Sequence, residues 1–165
     1  MDNAKVSVSK RDKNIMTIPE RIGEFVGIFF ILLITAFFAY HLSRNTGFMT
    51  SDFGMTGAIF LFGSAALSIV SSGARAVIGK RDKARPFELV SAIYSAIASF
   101  WFLTVFPFNF AHLADPLPSY LRFILSWISN SIGWVILLLA VIGSIAAAIN
   151  AAVRLVLDII RGAFR

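Results

Sequence analysis

The amino-acid sequence predicts an all-α, polytopic membrane protein with four transmembrane helices in a single membrane domain over residues 1–165. Three observations predict this class. Hydrophobic residues make up 58% of the chain and charged residues only 15%, whereas soluble domains carry roughly 25% charged residues. Four apolar stretches are long enough to cross the ~30 Å hydrocarbon core of a bilayer, which takes about 20 helical residues. Basic residues collect in the segments that would lie on one side of the membrane.

Each apolar stretch is expected to be a helix, because backbone groups in lipid must be hydrogen-bonded within the segment itself. Pro107 follows the third stretch and is expected to close it, since proline lacks an N–H donor and cannot continue a helix. Residues 1–20 precede the first helix as a polar segment. The predicted transmembrane helices cover residues 21–43, 53–78, 87–106 and 124–153.

The placement of basic residues predicts the orientation. Thirteen of the fifteen lysines and arginines fall in the N-terminal segment, in the loop between the second and third helices, or in the C-terminal tail. The other side carries Arg44 and Arg122. Because cytoplasmic segments are enriched in Lys and Arg, the sequence predicts a multi-pass protein of the cell (plasma) membrane with its N- and C-termini in the cytoplasm.

The two halves of the sequence resemble each other, which indicates two duplicated helical hairpins. The tetrapeptide KRDK occurs at residues 10–13 and again at residues 80–83. A Gly-Ser pair begins 12 residues before Arg75 in the second helix and 11 residues before Arg154 in the fourth. Such a repeat would relate the halves by an axis along the membrane normal. Chance similarity between two basic membrane hairpins is the alternative.

Residues 154–165 are predicted to form an amphipathic, cytoplasmic extension of the fourth helix. Their charged residues recur at helical spacing, and apolar residues fill most of the remaining positions. We expect this tail to lie on anionic lipid or to dock a partner helix.

Small residues at a spacing of four predict close packing between helices. Lipid gives helices no hydrophobic drive to associate, so small and hydroxyl-bearing residues mark their interfaces. We expect the second and third helices, which a short basic turn connects, to meet along their serines. A polar pathway lined by the same residues is the alternative to ordinary packing. The candidates for helix packing or for a pathway are Ser64, Ser68, Ser72, Ser91, Ser95, Ser99, Ser144 and Asn150.

Glu24, Arg75 and Glu88 are predicted to form a charge cluster at the inner edge of the bilayer. No Asp, Glu, Lys or Arg lies near the middle of any predicted helix, and these three stand near cytoplasmic helix ends. Ionisable groups at membrane depth are functional candidates because their burial is expensive. Either glutamate would pair with Arg75. Interfacial anchoring and an inner gate are the two interpretations.

The sequence gives no basis for catalysis, a cofactor or a bound metal. It contains no cysteine, and it lacks P-loop, dinucleotide-binding, HExxH and GxSxG motifs. His41, Asp52, His112 and Asp115 fall on the outer side, without the spacing of metal ligands. Aromatic residues are not interleaved with the basic ones, as they would be to stack bases. We therefore predict no enzyme and no nucleic-acid partner.

On these grounds we expect a small, non-enzymatic integral membrane protein that is a structural or accessory subunit of a membrane assembly. Its partners would be the lipid bilayer and either copies of itself, in a homo-oligomer, or a larger membrane-protein complex. The alternative is a small oligomeric transporter or channel for a neutral or weakly polar solute, since no protonatable relay crosses the bilayer. Lipid handling is a third hypothesis, suggested by the aromatic outer loop.

Overall fold

Four α-helices follow one another in the computed structural model, which describes residues 15–163. Residues 1–14 and 164–165, including the first KRDK tetrapeptide, lie outside the described residues. Two 3-10 helices, Phe110–His112 and Ser119–Ile124, connect the last two α-helices, and the described part of the chain has no β-strand. The α-helices are α1 (Ile18–Arg44), α2 (Gly54–Ile78), α3 (Arg81–Val105) and α4 (Asn130–Ala163).

All four helices are long and apolar enough to cross a membrane. The protein is therefore an all-α, polytopic membrane protein, and the fold class predicted from the sequence is confirmed.

Local sequence sets where the helices begin and end. At the start of α1 the Thr17 N–H donates a 2.9 Å hydrogen bond to Glu20 Oε2, which satisfies a donor that has no partner within the helix. α2 is terminated by Gly79, the residue after its last turn, whose φ of 63° is the left-handed conformation that glycine adopts most readily. α3 ends at Val105, and Pro107, two residues further on, cannot supply the N–H that another helical turn would need.

Two helices begin six residues away from their predicted starts. α3 starts at Arg81 rather than at residue 87, so that Pro86 lies inside the helix, where it removes one backbone hydrogen bond without ending the helix. α4 starts at Asn130 rather than at residue 124, because residues 119–124 form a 3-10 helix after Pro118. α4 then continues without a break through the predicted tail to Ala163.

The helices are arranged in an open row in chain order. α1 packs against α2, α2 against α3, and α3 against α4, whereas no other pair of α-helices within residues 15–163 brings its Cα atoms within 8 Å. A closed four-helix bundle would also join α1 to α4. Both faces of the row are consequently apolar and exposed, and His41 is the one fully buried residue of α1.

The row has two chemically different ends. At the basic end the start of α1 meets the α2–α3 turn, where the Met16 N–H donates to Gly79 O at 2.9 Å. The C-terminal part of α4 lies at the same end, since Asp158 contacts Arg85 near the start of α3. Residues 15 and 163 therefore lie on the same side of the helix row.

The aromatic end holds the buried core of the protein. The Phe48 and Phe108 rings stack at 5.2 Å, and Phe53 stacks on Phe102 at 6.3 Å. The Asn109 N–H donates to Phe48 O at 2.7 Å, which ties the α3–α4 connection to the α1–α2 loop. The loops at this end are thereby packed against each other rather than extended away from the helices.

Candidate functional site

The predicted cluster of Glu24, Arg75 and Glu88 comes together at the basic end. Arg75 lies in the last turn of α2, the helix between α1 and α3 in the row. Its Nη2 donates a 2.8 Å hydrogen bond to Glu24 Oε2, and its Nη1 lies 3.3 Å from Glu88 Oε1. The Arg75 Nε is 2.8 Å from Glu24 Oε1, an ionic contact without the alignment of a hydrogen bond. The sequence allowed either glutamate to pair with Arg75, and the structure shows that both do.

One guanidinium thus joins three helices. The Arg75 side chain is 29% exposed, and those of Glu24 and Glu88 are 19% and 23% exposed, so all three are largely removed from solvent. Arg75 also donates from Nη2 to Ser72 Oγ at 3.1 Å. Two carboxylates against one guanidinium leave the cluster with a net charge of −1 when all are ionised. The sequence did not show that Ser72, a predicted packing residue, would take part.

Other charged residues at the basic end are also paired between helices. Arg81 at the start of α3 contacts Glu20 in the first turn of α1. Arg85 contacts Asp158 of α4. Neither contact was predicted from the sequence. Because α3 and α4 are antiparallel neighbours, however, the start of α3 lies beside the later part of α4, and this arrangement would have suggested the Arg85–Asp158 pair.

Arg21 and Arg85 lie near the starts of the first helices of the two proposed hairpins, and they make similar contacts. Arg21 Nε donates to Ala76 O at 2.6 Å, near the end of the second helix of the first hairpin. Arg85 Nη1 donates to Arg154 O at 2.9 Å, near the corresponding point of the second hairpin. Each arginine therefore donates to a backbone carbonyl in the second helix of its own hairpin, a correspondence that supports the duplication hypothesis.

The predicted serines differ in their hydrogen bonding and burial. Ser64 donates to the Phe60 carbonyl of its own helix, and Ser144 donates to Val141 O at 3.0 Å. Hydroxyls in this arrangement need no interhelical partner. Ser72 and Ser91 are buried, and Ser95, Ser99 and Ser68 are half-buried.

The contact observed between α2 and α3 involves an aromatic side chain and a glycine. Tyr94 of α3 donates its hydroxyl to Ile59 O of α2 at 2.8 Å. Its ring and hydroxyl occupy the space where a Cβ on Gly63 would stand. Phe60 packs on Tyr94 and on Trp101 at ring distances of 6.0 and 5.5 Å. The absence of a side chain at Gly63 therefore allows this close approach.

Asn150 and the tail of α4 lie at the basic end. Arg154 Nε donates to Asn150 Oδ1 at 3.0 Å, one helical turn away. Because Asp158 contacts Arg85, part of the predicted tail packs against α3 of the same chain. Docking on anionic lipid or on a partner helix stays a prediction for its remaining surface.

The histidines and aspartates at the aromatic end do not form a metal-binding group among the described residues. His112 Nδ1 lies 2.9 Å from Asp115 Oδ2, whereas the His41 Nδ1 is hydrogen-bonded to Thr46 Oγ1 and its ring packs on Phe37 at 4.8 Å. Among the residues that the structure describes, no three His, Cys, Asp or Glu side chains converge on a common point.

The fold and the basic-end cluster define a membrane protein whose neighbouring helices are tied together by ion pairs. Comparisons with models of protein families, with curated proteins and with solved structures found no match.

Proposed function

We propose that this protein is a non-enzymatic structural or accessory subunit of a membrane assembly in the cell membrane, with both termini in the cytoplasm. The observation that carries the proposal is the open row of helices. The Cα atoms of each helix approach only those of its chain neighbours, so α1 and α4 each keep a flank that no other helix of the described chain covers. A helix row of this kind offers long lateral surfaces to a second protein in the bilayer.

The charged residues support a structural role. Arg75, Glu24 and Glu88 bind one another across three helices, and the Arg85–Asp158 pair joins the remaining helix to them. A guanidinium held by two carboxylates is a poor general acid or base, and an enzyme that works at membrane depth needs titratable groups free to exchange protons. The pairing of these charged groups therefore favours a rigid subunit over an intramembrane enzyme.

Purification in a mild detergent tests the subunit proposal. We expect the protein to elute in a complex of fixed stoichiometry, either with larger membrane proteins or with its own copies, at a mass well above the 18.1 kDa of one chain. Crosslinking in intact membranes before extraction should capture the same species. A monomer in both experiments would refute the proposal.

Reporter fusions test the orientation separately. The basic end carries the start of α1 and the end of α4, so reporters fused to the two termini should both be active in the cytoplasm. Opposite locations of the two reporters would contradict an even number of spans, and two external reporters would reverse the orientation.

A small oligomeric transporter for a neutral or weakly polar solute is the second candidate. It is supported by the half-buried serines Ser68, Ser95 and Ser99, for which the described part of the chain shows no hydrogen bond to another helix. Hydroxyls facing a shared axis can line a path without charges. Flux in liposomes that falls on Ser68→Leu or Ser95→Leu, with the oligomer intact, would favour this candidate over the subunit.

A further inference from the structure

The connection between α3 and α4 exposes an unusual set of side chains at the aromatic end. Residues 119–127 comprise the second 3-10 helix and the turn after it. Tyr120 is 72% exposed, Phe123 70% and Trp127 64%, and Ile124 between them is 47% exposed. We call these four residues the aromatic wedge. In water, side chains of this size would leave several hundred Å² of apolar surface unburied, which monomeric soluble proteins rarely do.

The wedge is held in place by the residues beside it. Leu125 and Ile128 pack against the buried aromatic core that includes Phe48 and Phe108. The Leu125 N–H donates to Arg122 O at 3.1 Å, and the Ile128 N–H donates to Leu125 O at 3.0 Å. One side of this segment is therefore anchored to the core, while the wedge on its other side is exposed.

The side-chain donors of Trp127 and Arg122 are bound within the chain. The indole Nε1 of Trp127 donates a 2.7 Å hydrogen bond to Ile124 O. Arg122, the basic residue of the segment, donates from Nε to Leu117 O at 3.1 Å and from Nη2 to Asp115 O at 3.4 Å. Apolar rings that point outward, beside an indole and a guanidinium that bond within the chain, fit surroundings poorer in water than bulk solvent.

We propose that the aromatic wedge inserts into the boundary between lipid headgroups and acyl chains at the aromatic end, and thereby fixes the depth of the α3–α4 connection. The wedge lies between the end of α3 and the start of α4, two helices that are apolar enough to span the membrane. Trp and Tyr prefer this boundary because their rings are amphipathic. Since Arg122 is bound to backbone carbonyls, zwitterionic phospholipid is a sufficient partner and anionic lipid is not required.

Trp127 can report its own surroundings. In the variant Trp101→Phe/Trp134→Phe it is the last of the three tryptophans. The protein is reconstituted into phosphatidylcholine vesicles that carry bromine either near the headgroup end or near the terminus of the acyl chains. We expect roughly twofold stronger quenching by the shallow bromines, as for a ring at the headgroup boundary. Aqueous iodide should quench weakly, and added anionic lipid should change neither result.

Two outcomes would overturn the proposal. Strong quenching by iodide without quenching by bromolipid would place the wedge in water. Protection from both quenchers would mean that protein, either a second copy or another chain, covers it. The matched control is Trp127→Phe/Trp134→Phe, in which Trp101 packs on Phe60 and Phe102 and should be shielded from iodide in any folded sample.

Thiol labelling gives an independent test that keeps all three tryptophans. The chain has no cysteine, so Phe123→Cys introduces a single thiol in the wedge and Ser51→Cys a single thiol in the exposed α1–α2 loop at the same end. A water-soluble maleimide should react about tenfold more slowly at position 123, because apolar surroundings disfavour the reactive thiolate. Equal rates in folded, reconstituted protein would overturn the proposal.

Discussion

Arg75 Nη2 donates a 2.8 Å hydrogen bond to Glu24 Oε2, which joins the last turn of α2 to the second turn of α1. The same guanidinium contacts Glu88 of α3, so a single cation near the edge of the bilayer holds three consecutive helices. Charged groups at this depth are expensive to separate, because each would lose its partner without gaining full hydration. The pairing therefore favours one rotational setting of each helix about its axis.

Replacing Arg75 should destabilise the protein more than replacing either carboxylate. Arg75→Met leaves two partly buried glutamates close together, and we expect a loss on the order of 2–3 kcal/mol in unfolding free energy. Glu24→Gln should cost more than Glu88→Gln, because Glu24 makes two contacts at 2.8 Å and Glu88 one at 3.3 Å. Denaturant unfolding in detergent micelles measures all three variants.

Arg44→Met is the control for the Arg75 variants. Arg44 lies at the aromatic end, with its guanidinium 5.9 Å from the Tyr40 ring centre, and an exposed contact of this kind stabilises by only about 0.5–1 kcal/mol. An equal loss of stability at positions 44 and 75 would show that the cluster has no special importance.

Gly63 and Gly143 provide a matched pair of glycine substitutions. Gly63→Ala would bring a Cβ into the Tyr94 hydroxyl and ring, so we expect a destabilisation of about 1–2 kcal/mol. Gly143→Ala meets no neighbouring atom within 4 Å and should be neutral or should stabilise α4 by up to about 1 kcal/mol. Thermal unfolding of the two variants compares the effects directly.

Removing the Tyr94 hydroxyl should relieve part of the Gly63→Ala effect. In Tyr94→Phe the nearest clashing atom is gone, although the ring stays close to position 63. We expect the double variant to be more stable than the sum of the two single changes predicts, with a coupling of roughly 0.5–1 kcal/mol. Strict additivity would indicate that the two helices are not in contact at this point.

His41 should contribute to stability mainly as an aromatic ring. It is 1% exposed and packs on the Phe37 and Phe48 rings, each at 4.8 Å. Its Nε2 has no hydrogen-bond partner among the described residues. We therefore expect His41→Phe to lose about 1 kcal/mol, through the bond to Thr46, and His41→Ala to lose about 3 kcal/mol by opening a cavity. Thermal unfolding that ranks the two variants in the reverse order would refute this account.

A charge exchange tests the contact between Arg85 and Asp158. Arg85→Asp and Asp158→Arg should each destabilise the packing of α4 on α3, and the double exchange should recover about 1 kcal/mol of the loss. These side chains are 18% and 27% exposed, so solvent screens their attraction only in part. Stability measured for the four proteins gives the coupling, and no recovery in the double variant would mean that the pair does not form.

Much of the fold could be predicted because it depends on local properties. Segment length and hydropathy specify which stretches can cross a bilayer, and these need no knowledge of neighbouring helices. The starts of α3 and α4 could not be placed as well, since Pro86 proved compatible with a helix and residues 119–124 formed a 3-10 turn instead of joining α4.

The candidate site was predicted in composition but not in geometry. Glu24, Arg75 and Glu88 stood out because charges near apolar helices are rare, and either glutamate was a reasonable partner. Whether the Arg75 guanidinium can reach both glutamates depends on the rotation of α1 and α3 about their axes. The serine spacing indicated packing faces, yet the close contact between α2 and α3 is made by Tyr94 and Gly63.

The sequence by itself determined four membrane-length helices, the concentration of basic residues at one end and the aromatic residues at the other, because these follow from the order of residues along the chain. Only the tertiary structure decided that the helices form an open row, that Arg75 binds two helices at once, and that the aromatic wedge points away from the core. The physical reason is that hydropathy fixes how deep a segment lies in lipid, whereas its neighbours and its rotation depend on side-chain fit.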